Sequence, residues 1–483
     1  MKVSKTIGWT LTAFVVSCIA APAMASPKEV GSGKVKLSFS ELQKRKKMYD
    51  DPTPLLKTLP MSDLLKPEDL AKLVFDQEAM KKAWVDAIGF KAPDVVGKIA
   101  PEIKPGNYTY QDRDSLPFKS LMIPDHYNRF TNAQPKHVGN FSKIKVVPTR
   151  QYYWALPIAK ATKANAGKTK QDAAGYMIQD SYVSGYPFPV PSGPNKAMQI
   201  MYNWEKRYIS SDNFMLYIRI LGVNKSLNVD FDGLNLNHSL RLQGRVLQEP
   251  FGWYDERAKK NNESISTVVV AVEPRDFYGN VVSLQSYANA EKDNQFMIYI
   301  SGLRRARKLS GSDTQDAMQG QDLIFEDGDG GFNQKMSPTR YPYKYELLEE
   351  REFLIPGYTL DGSTTISKDK KEYVNFEFER RPIYVVKLTS IDTNFIYSYR
   401  KLYFDKETFM LLATENYDNK GRLYRTAEQT FGFYPDMGML VVTDLLAKDH
   451  IDTHSTYTKA FGLPAPHLTR DDFSFQSMSK HGK

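Results

Sequence analysis

Beyond Tyr208 the apolar residues adopt a period of two and keep it to about Val442. Nine segments follow this pattern: Phe214 to Val223, Leu240 to Leu247, Thr267 to Val272, Val281 to Tyr287, Gln295 to Ile300, Tyr384 to Leu388, Phe395 to Phe404, Phe409 to Tyr417 and Leu423 to Phe433. Alternation of this kind is the signature of a strand with two different faces. Several connections are very short, as at Glu291-Lys292-Asp293-Asn294, Asp405-Lys406-Glu407-Thr408 and Asp418-Asn419-Lys420-Gly421. Turns of that length join antiparallel neighbours, because parallel strands need a long crossover. A long meander without crossover helices must curl to bury its apolar face. It then forms a barrel or half-barrel, and beyond about eight strands a cavity opens that side chains no longer fill. The expected fold class is mainly β with added helices (α+β), an incomplete antiparallel barrel.

The chain begins with Met1, Lys2 and Lys5, continues through an apolar stretch from Ile7 to Ala21, and reaches Pro22 just before Ala23-Met24-Ala25. This reads as a secretory signal peptide, residues 1–25, cut after Ala25. Cys18, the only cysteine, lies inside it, so the mature chain has no thiol for a disulfide or a thiolate metal site. Val15-Val16-Ser17-Cys18 also fits a permissive lipoprotein signal, in which Cys18 becomes a lipidated first residue and the protein an outer-membrane lipoprotein. Loss of two lysines with the signal lowers the formal charge from +9 to +7. A basic exported protein suits anionic lipid or glycolipid surfaces, and equally no such partner; export removes it from nucleic acid.

Residues 26–105 read as a helical, basic extension. It opens with the capping-box pattern Ser38-Phe39-Ser40-Glu41 and the run Lys44-Arg45-Lys46-Lys47. Pro67 to Gly89 follows with helical spacing of Leu70, Leu73, Val74, Trp84 and Ile88. Residues 106–455 form the β domain with helical insertions: a helix from Ala155 to Ala166, an extended stretch through Pro187, Pro189 and Pro191, and a helix capped by Asn195 with Ala197, Met201, Trp204 and Tyr208 on one face. Residues 456–483 are expected as a tail.

Catalytic signatures are scarce. Glycine-rich phosphate loops and a serine nucleophile elbow are missing. His450 and His454, with Asp449 and Asp452, have a spacing that would share a metal on a helical turn, but a solvent-facing segment explains them more simply. Asp327-Gly328-Asp329-Gly330-Gly331-Phe332-Asn333 resembles the start of a calcium loop, yet Pro338 stands where the closing glutamate belongs. Asp230 with Asp232, and Glu349 with Glu350, are weak candidates for a hydrolytic pair. No catalytic residue, metal or cofactor is expected.

The stretch Phe296-Met297-Ile298-Tyr299-Ile300-Ser301-Gly302-Leu303-Arg304-Arg305-Ala306-Arg307-Lys308-Leu309 feeds an alternating strand into an arginine cluster, and Gly320-Gln321-Asp322-Leu323 and Phe325-Glu326-Asp327 follow. With Ser398-Tyr399-Arg400-Lys401-Leu402-Tyr403-Phe404 and Glu415-Asn416-Tyr417-Asp418, this resembles the LolA-like superfamily of periplasmic lipoprotein carriers. Through Tyr186-Pro187-Phe188-Pro189 and Gly252-Trp253-Tyr254-Asp255-Glu256-Arg257 it is also similar to an uncharacterised proteobacterial family within that superfamily, domain of unknown function 1329. The resemblance implies an incomplete β-barrel of LolA/LolB type whose mouth is closed by helices around a hydrophobic cavity. It also implies a role in envelope transport beside an inner-membrane exporter of the resistance-nodulation-division (RND) type or an outer-membrane acceptor.

From the residues themselves, the apolar side chains expected to line the cavity are Trp204, Phe214, Leu216, Met297, Tyr299, Tyr403 and Phe409, each of which would serve equally as ordinary core. Alternation does not say which strand face points inward. Arg304, Arg305 and Arg307 would hold a phosphate or carboxylate headgroup or contact a partner, or would pair with Glu326, Asp327 and Asp329. The leading expectation is a periplasmic, non-catalytic carrier of a lipid or other hydrophobic molecule. The alternatives are an envelope structural or interaction protein whose barrel is filled by its own side chains, and a hydrolase of an envelope polymer.

Overall fold

The computed structural model describes residues 60–308, 315–328 and 335–474, with residues 43, 44, 46, 50, 54, 332, 476, 477 and 479 besides. The expected signal peptide, Cys18, the capping box at Ser38, and Leu309 and Asp329 lie outside the described residues.

Most of the period-two segments are strands of one sixteen-stranded sheet. Its members are β1 (Gly106–Thr109), β2 (Lys143–Val147), β3 (Asn213–Val223), β4 (Val229–Arg241), β5 (Glu263–Glu273), β6 (Val281–Tyr287), β7 (Gln295–Ile300), β8 (Arg305–Lys308), β9 (Tyr343–Ile355), β10 (Glu377–Ser390), β11 (Tyr399–Asp405), β12 (Leu411–Tyr417), β13 (Leu423–Tyr434), β14 (Met439–Asp449) and β15 (His454–Pro464), with the short strand Tyr358–Thr359 beside β13. The order is β1-β2-β10-β11-β12-β13-β14-β15-β3-β4-β5-β6-β7-β8, and β9 pairs with β10. Two antiparallel meanders, β3 to β8 and β10 to β15, are therefore joined where β15 lies against β3. The two ends of this path, β1 and β8, do not pair with each other, so the barrel is incomplete.

Several strands differ from the sequence reading, and β1, β2, β8, β9, β14 and β15 match none of its nine segments. The second strand runs over Val229–Arg241 rather than Leu240 to Leu247, because its polar alternation of Asp230, Asp232, Asn235 and Asn237 hides it. Strand β9, where the sequence reading has no segment, carries the charged run Glu349-Glu350-Arg351-Glu352. These charges are matched: Glu350 by Lys196 and Lys406, Glu349 by Arg351, and Glu352 by backbone amides of Gly97 and Ile99. Residues 454–464, of which those from 456 onward are expected as a tail, form strand β15 in the middle of the sheet.

The helix expected from Pro67 to Gly89 is two helices, α1 (Pro67–Ala71) and α2 (Gln77–Ile88). Asp76 separates them, since its side chain accepts from the Ala79 amide at 2.7 Å and starts a new helix. Gly89 ends α2 in the left-handed conformation that glycine tolerates best. Trp84 of α2 donates to the Glu407 carbonyl at 2.8 Å, and Met61, Leu64, Met80 and Trp84 are part of the main core. From Met61 onward the expected extension is thus integral to the β domain. Helices α3 (Leu156–Asn165) and α4 (Lys196–Glu205) form where the spacing predicts, although the Asn195 side chain makes no capping bond and Tyr208, expected on the face of α4, lies beyond its end. No helix among the described residues is long and apolar enough to cross a membrane.

Candidate ligand-binding face

Residues directly opposed in an antiparallel ladder present their side chains to the same face. Leu216 opposes Asn237, and the same row continues through Val269, Val282 and Ile298 to Arg307. The row of Phe214 continues through Ser239, Thr267 and Leu284 to Phe296. In the other direction Gly222 opposes Thr456, and that row passes through Ala447, Ala427 and Thr414 to Leu402. One face of the sheet is thereby defined from β11 to β8.

Two elements cover this face. Helix α4 packs Trp204 against Phe404 with ring centres 6.1 Å apart, and the indole donates to the Phe332 carbonyl at 2.8 Å. The segment 315–328 crosses the rest of the sheet and is fastened at successive strands. Asn235 donates to Gln319 at 3.3 Å, Thr456 donates to Asp322 at 2.7 Å, and Met318 and Leu323 pack on Ala427, Leu445 and Ala447. Arg400 donates to Asp327 at 2.6 Å, as does the Tyr397 hydroxyl, with all three side chains buried. Phe325 meets Phe296 of β7 edge to face at 5.9 Å. Gly222 lets the segment approach, because a Cβ there would lie 2.6 Å from Oε1 of Gln321 and 2.8 Å from Oδ1 of Asp230.

His454 holds the same segment electrostatically. Its ring nitrogens lie 2.7 Å from Asp322 and 3.2 Å from Asp230. The hydrogen bond to Asp322, followed by the charges of Asp322 and Asp230, outweighs partial burial and pushes its pKa up to about 9. It is therefore a cation at neutral pH.

Past Phe325 the covered face gives way to a partly exposed apolar stripe. Val269, Val282, Leu284, Phe296, Ile298 and Ile300 are all only half-buried. Ile298 opposes Arg307 and Ile300 opposes Arg305, so two exposed guanidinium groups on the edge strand β8 share the stripe's face. Neither forms an ion pair with Glu326 or Asp327; among the described residues Asp327 is engaged by Arg400 instead. An apolar strip beside exposed guanidinium groups suits an amphipathic anion: the strip removes a tail from water and the guanidinium groups bind a phosphate or carboxylate.

The sequence-derived cavity set does not converge. Trp204, Phe214 and Leu216 belong to the covered face. Met297 opposes Ser283 and Tyr299 opposes Val281 and Ala306, which puts both on the opposite face, where Tyr299 joins Val268, Val270 and Val281 in a separate cluster. Tyr403 opposes Ala413, also on the opposite face. Phe409 sits in the turn after β11, against Trp84 and Tyr186. Phe296, Ile298 and Ile300 are the β7 residues on the guanidinium side, and no signal in the sequence distinguishes them, since Phe296-Met297-Ile298-Tyr299-Ile300 is apolar on both faces. Arg304 lies in the β7–β8 turn with a left-handed backbone (φ 51°) rather than on the strand.

The other chemical candidates resolve into structural pairs. His450 and His454 flank a β-turn instead of sharing a helix. His450 packs on His137 at 5.0 Å, and burial next to Lys448 pushes its pKa down to about 4. Asp232 is bound by Arg219. Asp125, His126 and Glu428 do meet within metal-ligand reach. However, Lys448 lies 2.5 Å from Asp125, and Arg129 donates to Glu428 at 2.6 Å and to Asp125 at 2.9 Å. Despite burial, these cations hold the Asp125 carboxyl well below its ordinary value. The position of a metal ion is already taken by side-chain cations, so the donor set does not fit one. A cleft of about 980 Å³ opens between β1, β2 and residues 359–377, lined by Tyr108, Lys145, Tyr373 and Phe376 among others, and contains none of the sequence-derived site residues.

Residues 124–478 match the sequence profile of a family described as "Protein of unknown function (DUF1329)". Over 327 residues the chain is 25% identical to the uncharacterized protein PA3922 of Pseudomonas aeruginosa, covering 64% of this chain and 66% of that relative's length. Among solved structures it is similar to an outer membrane lipoprotein-sorting protein domain from Vibrio parahaemolyticus (15% identity, TM-score 0.43, 59% of this chain and all of that one). It is also similar to a DUF1329 family protein from Desulfovibrio piger (17%, TM-score 0.39, 56% and 92% covered). A LolA superfamily protein from Nitrosomonas europaea, NE2245, is a third (16%, TM-score 0.35, 58% and 98% covered).

Proposed function

The chain belongs to this DUF1329 family of unknown function, and from that premise we infer that it is a non-catalytic carrier of an amphipathic anionic molecule, such as a lipid, in the bacterial periplasm. The observation that carries this reading is the half-buried stripe of Val282, Leu284, Phe296, Ile298 and Ile300 on the same face as Arg305 and Arg307. An acyl chain laid along the stripe would gain about 25 cal/mol per Å² of apolar area withdrawn from water, and the guanidinium groups would take its headgroup. Export by the amino-terminal signal, and exchange of the cargo with an RND-type exporter or an outer-membrane acceptor, complete the proposal.

The test is native mass spectrometry of protein purified gently from periplasm, followed by solvent extraction of the adduct. The reading expects a stoichiometric amphipathic adduct that Ile298→Asp abolishes and Arg305→Glu weakens. A clean mass with no uptake of added lipids sinks it. A second reading, an envelope interaction protein without cargo, is favoured by one observation: helix α4 and the segment 315–328 fill much of the covered face with the protein's own side chains. That reading expects the clean mass.

A further inference from the structure

At one end of the β5–β8 arm, two turns are locked together. Ser301, in the turn between β7 and β8, donates through its hydroxyl to the Tyr278 carbonyl at 2.7 Å and through its amide to Asn280 Oδ1 at 2.9 Å. Both acceptors lie in the connection between β5 and β6, whose Phe277 is anchored against Phe231 at 6.1 Å. The paired turns form a fixed tip, and at it Leu303 is 65% exposed and Tyr278 43% exposed. Apolar side chains exposed singly are ordinary on a protein surface, but two of them on hydrogen-bonded turns that also carry charges of one predominant sign are suited to a contact.

Charge identifies that contact. Arg275 stands in one turn, Arg304 ends the other, and Arg305, Arg307 and Lys308 continue along the edge strand; all are exposed. Within the two turns the only opposing charge is Asp276, and the neighbouring Glu273 is neutralised by Lys46 at 2.5 Å. Exposed cations in and beside the two turns that carry two exposed apolar side chains match an anionic bilayer: the arginines would bind lipid phosphates while leucine and tyrosine enter the headgroup region.

We propose that the tip carrying Tyr278 and Leu303, with Arg275 and Arg304 in the same two turns, docks the protein on anionic lipid membranes. This surface does not depend on the stripe holding a cargo, although the stripe's guanidinium edge continues into it, and docking there would bring the stripe next to the bilayer.

The full mature chain is mixed with vesicles of phosphatidylcholine alone and of phosphatidylcholine with phosphatidylglycerol, and binding is read by co-sedimentation. Binding is expected only to the anionic vesicles and is expected to fall steeply with added salt. Leu303→Asp, and separately the pair Arg275→Glu with Arg304→Glu, should each weaken it about tenfold or more. These side chains are exposed, and circular dichroism of each variant checks that it folds. Equal binding by the variants overturns the proposal. So does failure of the wild-type chain to bind anionic vesicles, the result expected if the tip serves a protein partner. Because cargo uptake is read by mass spectrometry and docking by sedimentation, either reading can fail while the other stands.

Discussion

Replacing Asp327 with alanine tests whether the segment 315–328 is held on the sheet by its buried ion pair. Asp327 accepts from Arg400 and from the Tyr397 hydroxyl, each at 2.6 Å, in a site closed to water. Without the carboxylate, Arg400 keeps its bond to Asn416 at 2.8 Å but loses its buried ion pair with Asp327. Removing one partner of a buried pair costs about 3–5 kcal/mol, a large part of the roughly 5–15 kcal/mol that stabilises a typical domain. A covering segment offers a cheaper escape than global unfolding, because its release lets water reach Arg400. The Asp327→Ala variant should therefore lose hydrogen-exchange protection across residues 318–327, while β13 and β14 stay protected, and its denaturation midpoint should fall. Asp327→Ala combined with Arg400→Leu should recover part of the loss, since no charge is then left buried. A change below about 1 kcal/mol together with unaltered exchange in the segment would refute the assignment of the ion pair as its anchor.

Three further outcomes are expected. His454 has its pKa raised from the ordinary 6.5 to about 9, so its contribution is complete below pH 6.5 and is lost as pH climbs through 9; segment protection should fall over that window by about 1–2 kcal/mol, allowing for solvent screening of a partly exposed ring, and His454→Gln should remove the dependence. Burial, together with the charge of Asp405, pushes Glu407 up to about 7 despite Arg381, so the folded state holds a proton that the unfolded chain releases near 4.5; urea titrations should show stability falling by about 3 kcal/mol from pH 4.5 to 7, and a profile that Glu407→Gln fails to flatten would count against this. Trp204→Ala removes a buried indole and its bond to the Phe332 carbonyl, and should cost about 3–5 kcal/mol by chemical denaturation.

Much of the architecture was legible as period. Strands Val281–Tyr287 and Gln295–Ile300 fall where alternation puts them, and Asn213–Val223 and Leu423–Tyr434 within a residue. Strand β9 escaped because four consecutive charged residues break the period of two, and their partners on α4, in the turn after β11 and on the 97–99 backbone are distant in sequence. Strand β4 escaped because its polar residues face the segment 315–328 and Arg219, partners distant in sequence. The site was less legible than the fold. The residues expected to line one cavity lie on two faces, and the arginines expected to act together divide between a strand face, at Arg305 and Arg307, and a turn, at Arg304.

By itself, the sequence determined that the chain would be a curled antiparallel meander with helices added, because side-chain period and turn length are local properties. Only the tertiary structure decided which face carries which residues. A strand that is apolar on both sides, such as Phe296 to Ile300, has no inside until its neighbours fix the register, and a shift of one residue exchanges the faces. The insertion of β15 beside β3, and the run of residues 315–328 across β4, β15, β13 and β11, depend on pairings between residues up to more than two hundred positions apart. No local pattern encodes those distances, and they separate the filled part of the covered face from the stripe that stays open.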